Sequence, residues 1–261
     1  MSYQISKFKK RIRNEDPNDS RLKILDDAYL TLTYAEILKA MKRAIDEFGV
    51  ASNMKILEIG SAGGITASLD ANIITSDIRP SHGVSLVIDG NERLPFEANG
   101  LKAIVAKDVL HHLSRPEDFF KEVERVLAPG AVVVFAEPNW NLLSRFIFYF
   151  IHPEPYLARQ KKWNFESSDP MFSNQAIPWI IFHRDKELFT QKFPTLQIKV
   201  LDTPLNGISF LASGGVFSRT RIPSNFLIRL MKLESKSALW LRHAGLTRII
   251  VVKKNYTSSS P

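Results

Sequence analysis

The chain has no cysteine. That excludes a disulfide framework, a thiolate metal site and a cysteine nucleophile, and it is compatible with a reducing compartment. No apolar run approaches the ~20 residues of a bilayer span. The most apolar stretch, Trp140 to Ile151, is twelve residues long and carries Arg145. The basic stretch holding Lys7, Lys9, Lys10, Arg11 and Arg13 has no apolar segment behind it, so it does not read as a secretory signal. Two phosphate-binding signatures are also missing. There is no glycine-rich loop ending in Gly-Lys-Ser/Thr, and the G-x-G-x-x-G fingerprint fails because Gly60, Ala62 and Ile65 fill its positions. A side chain at the third position obstructs helix–strand packing, so NAD is not expected to bind.

What is present suffices for one sizeable core with an added subdomain: 261 residues, 44% of them apolar and 24% charged. The formal net charge of +8 suits an anionic partner such as nucleic acid, acidic lipid or a phosphorylated substrate, and equally suits a plain basic enzyme.

The organising stretch is Met54 to Thr66, MKILEIGSAGGIT. A short β-branched run ends in Glu58 and enters a cluster formed by Gly60, Gly63 and Gly64. A strand that runs into a glycine turn and then a helix opens a nucleotide-binding α/β unit. Glycines let the backbone approach a ligand, and the helix start offers free N–H groups. A helix of two turns is expected next. Ile73 to Asp77 reads as a second strand ending in an acid, and Leu86 to Ile88 as a third, followed by Asp89. An acid 19 residues after Glu58 sits beside the glycine turn, where a carboxylate can accept from both ribose hydroxyls. Only Arg79 to Ser85 joins the second strand to the third, too short for a crossover helix. A fourth strand, Ala103 to Ala106, leads to Lys107-Asp108-Val109-Leu110-His111-His112-Leu113. Ser114 and Glu117 have capping-box spacing at the head of the next helix. Ala131 to Ala136 suits the centre of a parallel sheet. Upstream, Asp26 to Phe48 has helical periodicity.

The first of these stretches resembles motif I of the class I S-adenosylmethionine-dependent methyltransferases, with Ala62 in place of the middle glycine. The run from DGNERLPF through VLHHL to RVLAPGAVVVFAEP resembles the small-molecule methyltransferase family with LPF and LHHL signatures. The resemblance covers about residues 50–140. It implies a Rossmann-like, seven-stranded, mostly parallel α/β sheet with helices on both faces and a C-terminal cap insertion. It implies S-adenosyl-L-methionine as cofactor, with Asp77 on the ribose and Asp89 on the adenine amino group. The cofactor-binding set it implies is Glu58, Gly60, Ser61, Gly64, Asp77, Ile78, Asp89, Gly90 and Lys107. His112 aligns with a base of some related O-methyltransferases, and His111 is the second candidate. The Asn/Asp-Pro-Pro-Tyr/Phe motif of many amino-group methyltransferases is absent after the fourth strand, which favours an oxygen or carbon acceptor. No metal is expected, because adjacent histidines in regular structure do not both face one site.

The chain divides as an arm and helix (1–49), a cofactor-binding core (50–138), a cap or substrate insertion (139–195), a C-terminal part completing the core (196–253) and a disordered tail (254–261). The helix within Trp140 to Ile151 is expected as a lid over the active site. HPEP, the run Asn174 to Asp185 and LASGG look like a less characterised bacterial branch of the family, a likeness that carries over no substrate roles; His152, Asn174, Trp179 and Arg184 are candidate acceptor-site residues. Leu196 to Leu201 and Thr247 to Val252 supply the last strands. Nine Lys or Arg and one acid fall between Val216 and Lys254. Ser224 to Lys236 reads as a basic amphipathic helix, with Phe226, Leu227, Leu230 and Leu233 on one face and Arg229, Lys232 and Lys236 on the other. It either covers the sheet or rests on an anionic membrane. The expectation is a cytoplasmic enzyme, peripheral at most to a membrane, methylating a small-molecule or lipid- or saccharide-linked acceptor. The alternatives are an RNA methyltransferase, disfavoured because no RNA-binding module is visible, and a non-catalytic cofactor-fold protein docking on anionic surfaces.

Overall fold

The computed structural model describes residues 17–62, 64–68, 70–152, 154–165, 173–205, 207–216, 221–237 and 243–256. The basic arm at the N-terminus, Gly63, and the last residues of the tail lie outside them.

The elements in chain order are α1 (Pro17–Asp26), α2 (Ala28–Phe48), β1 (Lys55–Ile59), β2 (Ile73–Asp77), β3 (Leu86–Val87), β4 (Leu101–Lys107), α3 (Pro116–Val126), β5 (Leu127–Pro138), α4 (Leu142–Phe150), α5 (Lys186–Lys192), β6 (Leu196–Leu205), α6 (Ile208–Ser213), α7 (Ser224–Glu234) and β7 (Thr247–Lys254). The seven strands form one sheet in the order β3-β2-β1-β4-β5-β7-β6. β1 to β5 are parallel, and β7 runs antiparallel to both β5 and β6. The chain order reverses between β1 and β4, and in open α/β sheets ligands bind at the carboxyl ends of the strands beside such a switch point.

Both faces of the sheet are covered. On one, Ile37, Met41, Ala44 and Ile45 of α2 pack on Ile56, Val105, Val132, Val134 and Val251. On the other, Phe119, Phe120, Val123 and Val126 of α3 meet Leu57, Ile104, Val133 and Phe135. Phe120 is the hub of an aromatic cluster, with edge-on contacts to Phe135, Phe182 and Phe189. Because β5 is apolar on both sides, it lies buried within the sheet apart from Pro129.

Several local expectations change. The helix expected over Asp26 to Phe48 is α2, starting at Ala28, because Asp27 adopts an extended backbone and its carboxylate caps α2 by accepting from the Leu30 N–H at 2.9 Å; α1, ending at Asp26, is not among the expected elements. The two-turn helix after the glycine turn is a single 3-10 turn, Ile65–Ser68, since the chain must reach β2 at Ile73. The connection from β2 to β3 has no helix, as its length requires. Ser114 does not cap α3. Its hydroxyl turns to Asn91 Oδ1, and the Glu117 N–H is taken by Asn164. α7 packs through Leu227, Ile228, Met231 and the buried Glu234, not through Phe226 and Leu233, which are exposed. Glu234 is drawn inward because its carboxylate accepts from the N–H and hydroxyl of Ser209. Arg229, Lys232 and Lys236 are exposed. Among the described residues no helix is long and apolar enough to cross a membrane.

Candidate functional site

β1 carries Glu58 beside its last residue, Ile59, and the chain then turns sharply. Gly60 has φ +73°, and a Cβ there would lie 2.3 Å from Val109 Cγ2. Gly64 has φ +75°, and its Cβ would lie 2.4 Å from the Gly83 carbonyl oxygen. Both positions therefore require glycine twice over, for conformation and for space. Ala62, where the motif has glycine, also takes a left-handed backbone, φ +43°. Asp77 fixes the turn from β2, its Oδ2 accepting from the Ala62 N–H at 3.0 Å and its Oδ1 from the Arg79 N–H at 3.1 Å. Asp89 Oδ1 accepts from the Asn91 backbone and side chain.

These strand ends open on a cavity of about 300 Å³. Glu58, Gly60, Ser61, Asp77, Ile78, Asp89, Gly90 and Lys107 line it, together with Ala62, Tyr34, Asp108, His112 and Glu154. Gly64 stands behind the turn and does not line it. The lining is acidic. Burial pushes the Glu58 carboxyl up to about 8, so at neutral pH it is largely protonated. Glu58 Oε2 and Ser61 Oγ are buried without a hydrogen-bond partner among the described residues. Lys107 lies over the Tyr34 ring at 4.6 Å and pairs with Asp108. Burial opposes its charge, yet the Asp108 carboxylate raises its pKa above the ordinary lysine range.

The two histidines occupy a 3-10 turn, Leu110–His112. Glu137, at the end of β5 and fully buried, builds that turn. Its Oε1 accepts from the Val109 and Leu110 N–H groups at 2.9 and 2.7 Å, and its Oε2 lies 2.6 Å from His111 Nδ1. Burial works against charge on His111, but Glu137, with Glu154 and Asp108, outweighs it and raises the pKa. The expectation that adjacent histidines diverge is corrected here. A 3-10 turn places the rings 4.4 Å apart, and both approach Glu154. Burial would raise the Glu154 pKa, yet His112 and His111 hold it below the usual carboxylate range. His112 reaches the cavity, whereas His111 lies behind it.

None of the four acceptor candidates lines the cavity. His152 is half-buried against Phe148, its pKa lowered by burial, and its Nδ1 accepts from the Glu154 N–H at 3.3 Å. The Asn174 amide clamps the chain, accepting from Leu157 and Ala176 and donating to Leu157 O and Gln160. Arg184 binds Asp185 and the carbonyls of Ala158 and Gln160, and lies over Trp179 at 6.0 Å. The expected lid helix, α4, contributes no lining residue either. It buries Ser144, Ile147 and Phe148 and exposes Leu142, Phe146 and Tyr149. Sequence reasoning passed over Glu137 and Glu154. The signal for Glu137 was there, since it stands at a strand end as Glu58 and Asp77 do. Glu154 had none, because its neighbours are distant in sequence.

Residues 57–135 match a family model described as a methyltransferase domain. No curated protein matches the sequence. Among solved structures the chain is similar to a SAM-dependent methyltransferase from Archaeoglobus fulgidus (15% identity, 84% of this chain, 94% of that one, TM-score 0.48). It is also similar to geranyl diphosphate C-methyltransferase from Streptomyces coelicolor A3(2), solved with Mg2+, geranyl diphosphate and S-adenosyl-L-homocysteine (12% identity, 87% of this chain, 82% of that one, TM-score 0.47). The domain match spans the glycine turn, the acid-ended strands and the histidine turn, and residues 57–135 form a methyltransferase domain.

Proposed function

We propose that this enzyme methylates an oxygen of a small-molecule acceptor, held at the His112 end of the cavity. The observation that carries the reading is the acid-lined cavity at the switch point, with Glu58 Oε2 and Ser61 Oγ buried and unsatisfied in it. Buried polar atoms without partners mark a place where a ligand completes the hydrogen bonding. Bound there, S-adenosylmethionine supplies an electrophilic methyl group on a sulfonium. Asp77 accepts from the ribose hydroxyls with the lone pairs its two backbone bonds leave over, and Asp89 accepts from the adenine amino group. Gly60, Ser61 and Gly90 admit the ligand close to backbone, Gly64 allows the turn behind it, Ile78 packs on the adenine, and Lys107 is fixed beside Asp108. The carboxylates favour a cationic ligand over an anionic one, which supports S-adenosylmethionine over a dinucleotide. His112, on the cavity wall, orients the acceptor hydroxyl and takes part in removing its proton. Alignment of acceptor and donor by the cavity walls supplies the rest of the acceleration.

Incubation with methyl-labelled cofactor and fractionated cell extract tests this. Label is expected in a low-mass, hydroxyl-bearing species, free or linked to lipid or saccharide. Label in RNA would overturn the acceptor class. Cofactor binding without transfer to any fraction would favour the non-catalytic alternative.

A further inference from the structure

His111, His112 and Glu154 converge more closely than an acceptor site needs. His111 Nε2 lies 3.7 Å from Glu154 Oε2, and His112 Nε2 lies 4.0 Å from Glu154 Oε1. One ligand atom from each residue falls within 4.8 Å of the others. A tetrahedral ion with bonds of about 2.0–2.1 Å places its ligand atoms about 3.4 Å apart. The two distances from Glu154 to the imidazoles lie within about 0.6 Å of that spacing. The site is also built from behind. Glu137 receives His111 Nδ1 and leaves Nε2 facing Glu154, and a carboxylate on the far nitrogen is the usual support of a metal-bound histidine. The same carboxylate pins the turn that carries both rings. Glu154 is held in turn by the Gln175 amide and by its own N–H on His152. In front, His112 and Glu154 face the cavity, leaving open positions for a ligand.

We propose that His111, His112 and Glu154 bind one divalent first-row transition-metal ion of the Zn2+ type, which holds the acceptor oxygen. Two imidazoles and one carboxylate suit Zn2+, Fe2+ or Co2+ better than Mg2+ or Ca2+, which prefer all-oxygen shells. The role rests on the acceptor reading above, but the binding itself does not. A hydroxyl on such an ion loses its proton near neutral pH. The proton leaves to solvent water. The acceptor oxygen then forms the new O–CH3 bond while the methyl C–S bond breaks, its electron pair returning to sulfur.

The test uses the full chain, stripped with chelator and dialysed. Co2+ is titrated by its visible absorption and Zn2+ by calorimetry, with S-adenosylmethionine titrated in parallel. One equivalent of Co2+ or Zn2+ is expected to bind, uncompeted by millimolar Mg2+. His112→Ala and Glu154→Gln should weaken it by more than about 100-fold, and Glu137→Gln by about 10–100-fold, with cofactor binding retained as the check on folding. The wild-type titration depends on no variant. Absence of saturable binding up to about 1 mM, or binding unchanged in Glu154→Gln, would overturn the site and leave an ion-pair cluster. Metal binding without methyl transfer would support the site while overturning the acceptor reading, so the two fail separately.

Discussion

The two ends of the cavity are built differently. At one end Glu58, Asp77 and Asp89 stand at the ends of adjacent parallel strands or just beyond them, fixed by sheet register and short backbone bonds. At the other, His112 sits on a 3-10 turn and Glu154 on irregular chain. They meet only because Glu137 pins the turn and because Asn174 ties its own segment to both sides, its N–H to His111 O and its amide to Leu157. The first end follows from local geometry, and the second from long-range hydrogen bonds. Substitutions at the two ends should therefore fail in different ways.

The largest effect is expected at the joint between them. Glu137→Ala leaves two backbone donors and a buried imidazole without their acceptor, and should cost about 3–5 kcal/mol of stability. Denaturant unfolding measures it. A loss below about 1 kcal/mol would mean that the turn does not depend on Glu137. Next, Gly60→Ala should cost about 3 kcal/mol, through a left-handed backbone and a clash with Val109. Calorimetric unfolding should register it, whereas the same change at the unstrained Gly100 should cost far less.

A pH series sharpens the comparison. The Glu58 pKa is raised in the folded chain to about 8. The stability this lends, relative to the ionised form, is complete below the unfolded value near 4.5 and is lost as pH rises through about 8. Glu58→Gln cannot ionise, so it should gain on the wild type in thermal unfolding between about pH 4.5 and 8. Parallel curves across that range would refute the buried neutral carboxyl. The smallest effect is expected at Ala62, where glycine relieves the left-handed strain. Ala62→Gly should change stability by no more than about 1 kcal/mol in either direction, because the relief is offset by chain entropy.

Legibility in the sequence follows the same division. β1, β2, β4 and β5 each announce themselves by an apolar run closed with a charged or turn residue, and the missing crossover helix follows from counting Arg79 to Ser85. Ser114 and α7 misled because a capping box and an apolar stripe are patterns of one helix. Asn164 and Ser209 decided those two cases from elsewhere in the chain. The pairing of His111 and His112 with Glu154 was illegible for the same reason. Adjacency predicts divergence in a helix or strand, and nothing in VLHHL says that the turn is 3-10 or that HPEP folds beside it.

The most direct test of the account is a titration of S-adenosylmethionine into the wild type and Asp77→Ala by calorimetry, with NAD as control. If the strand-end acids hold the cofactor, the wild type binds it saturably and NAD not at all, and Asp77→Ala is weaker by about 1.5–3 kcal/mol while still folded. Unchanged affinity in a folded Asp77→Ala, or binding of NAD in place of S-adenosylmethionine, would contradict it.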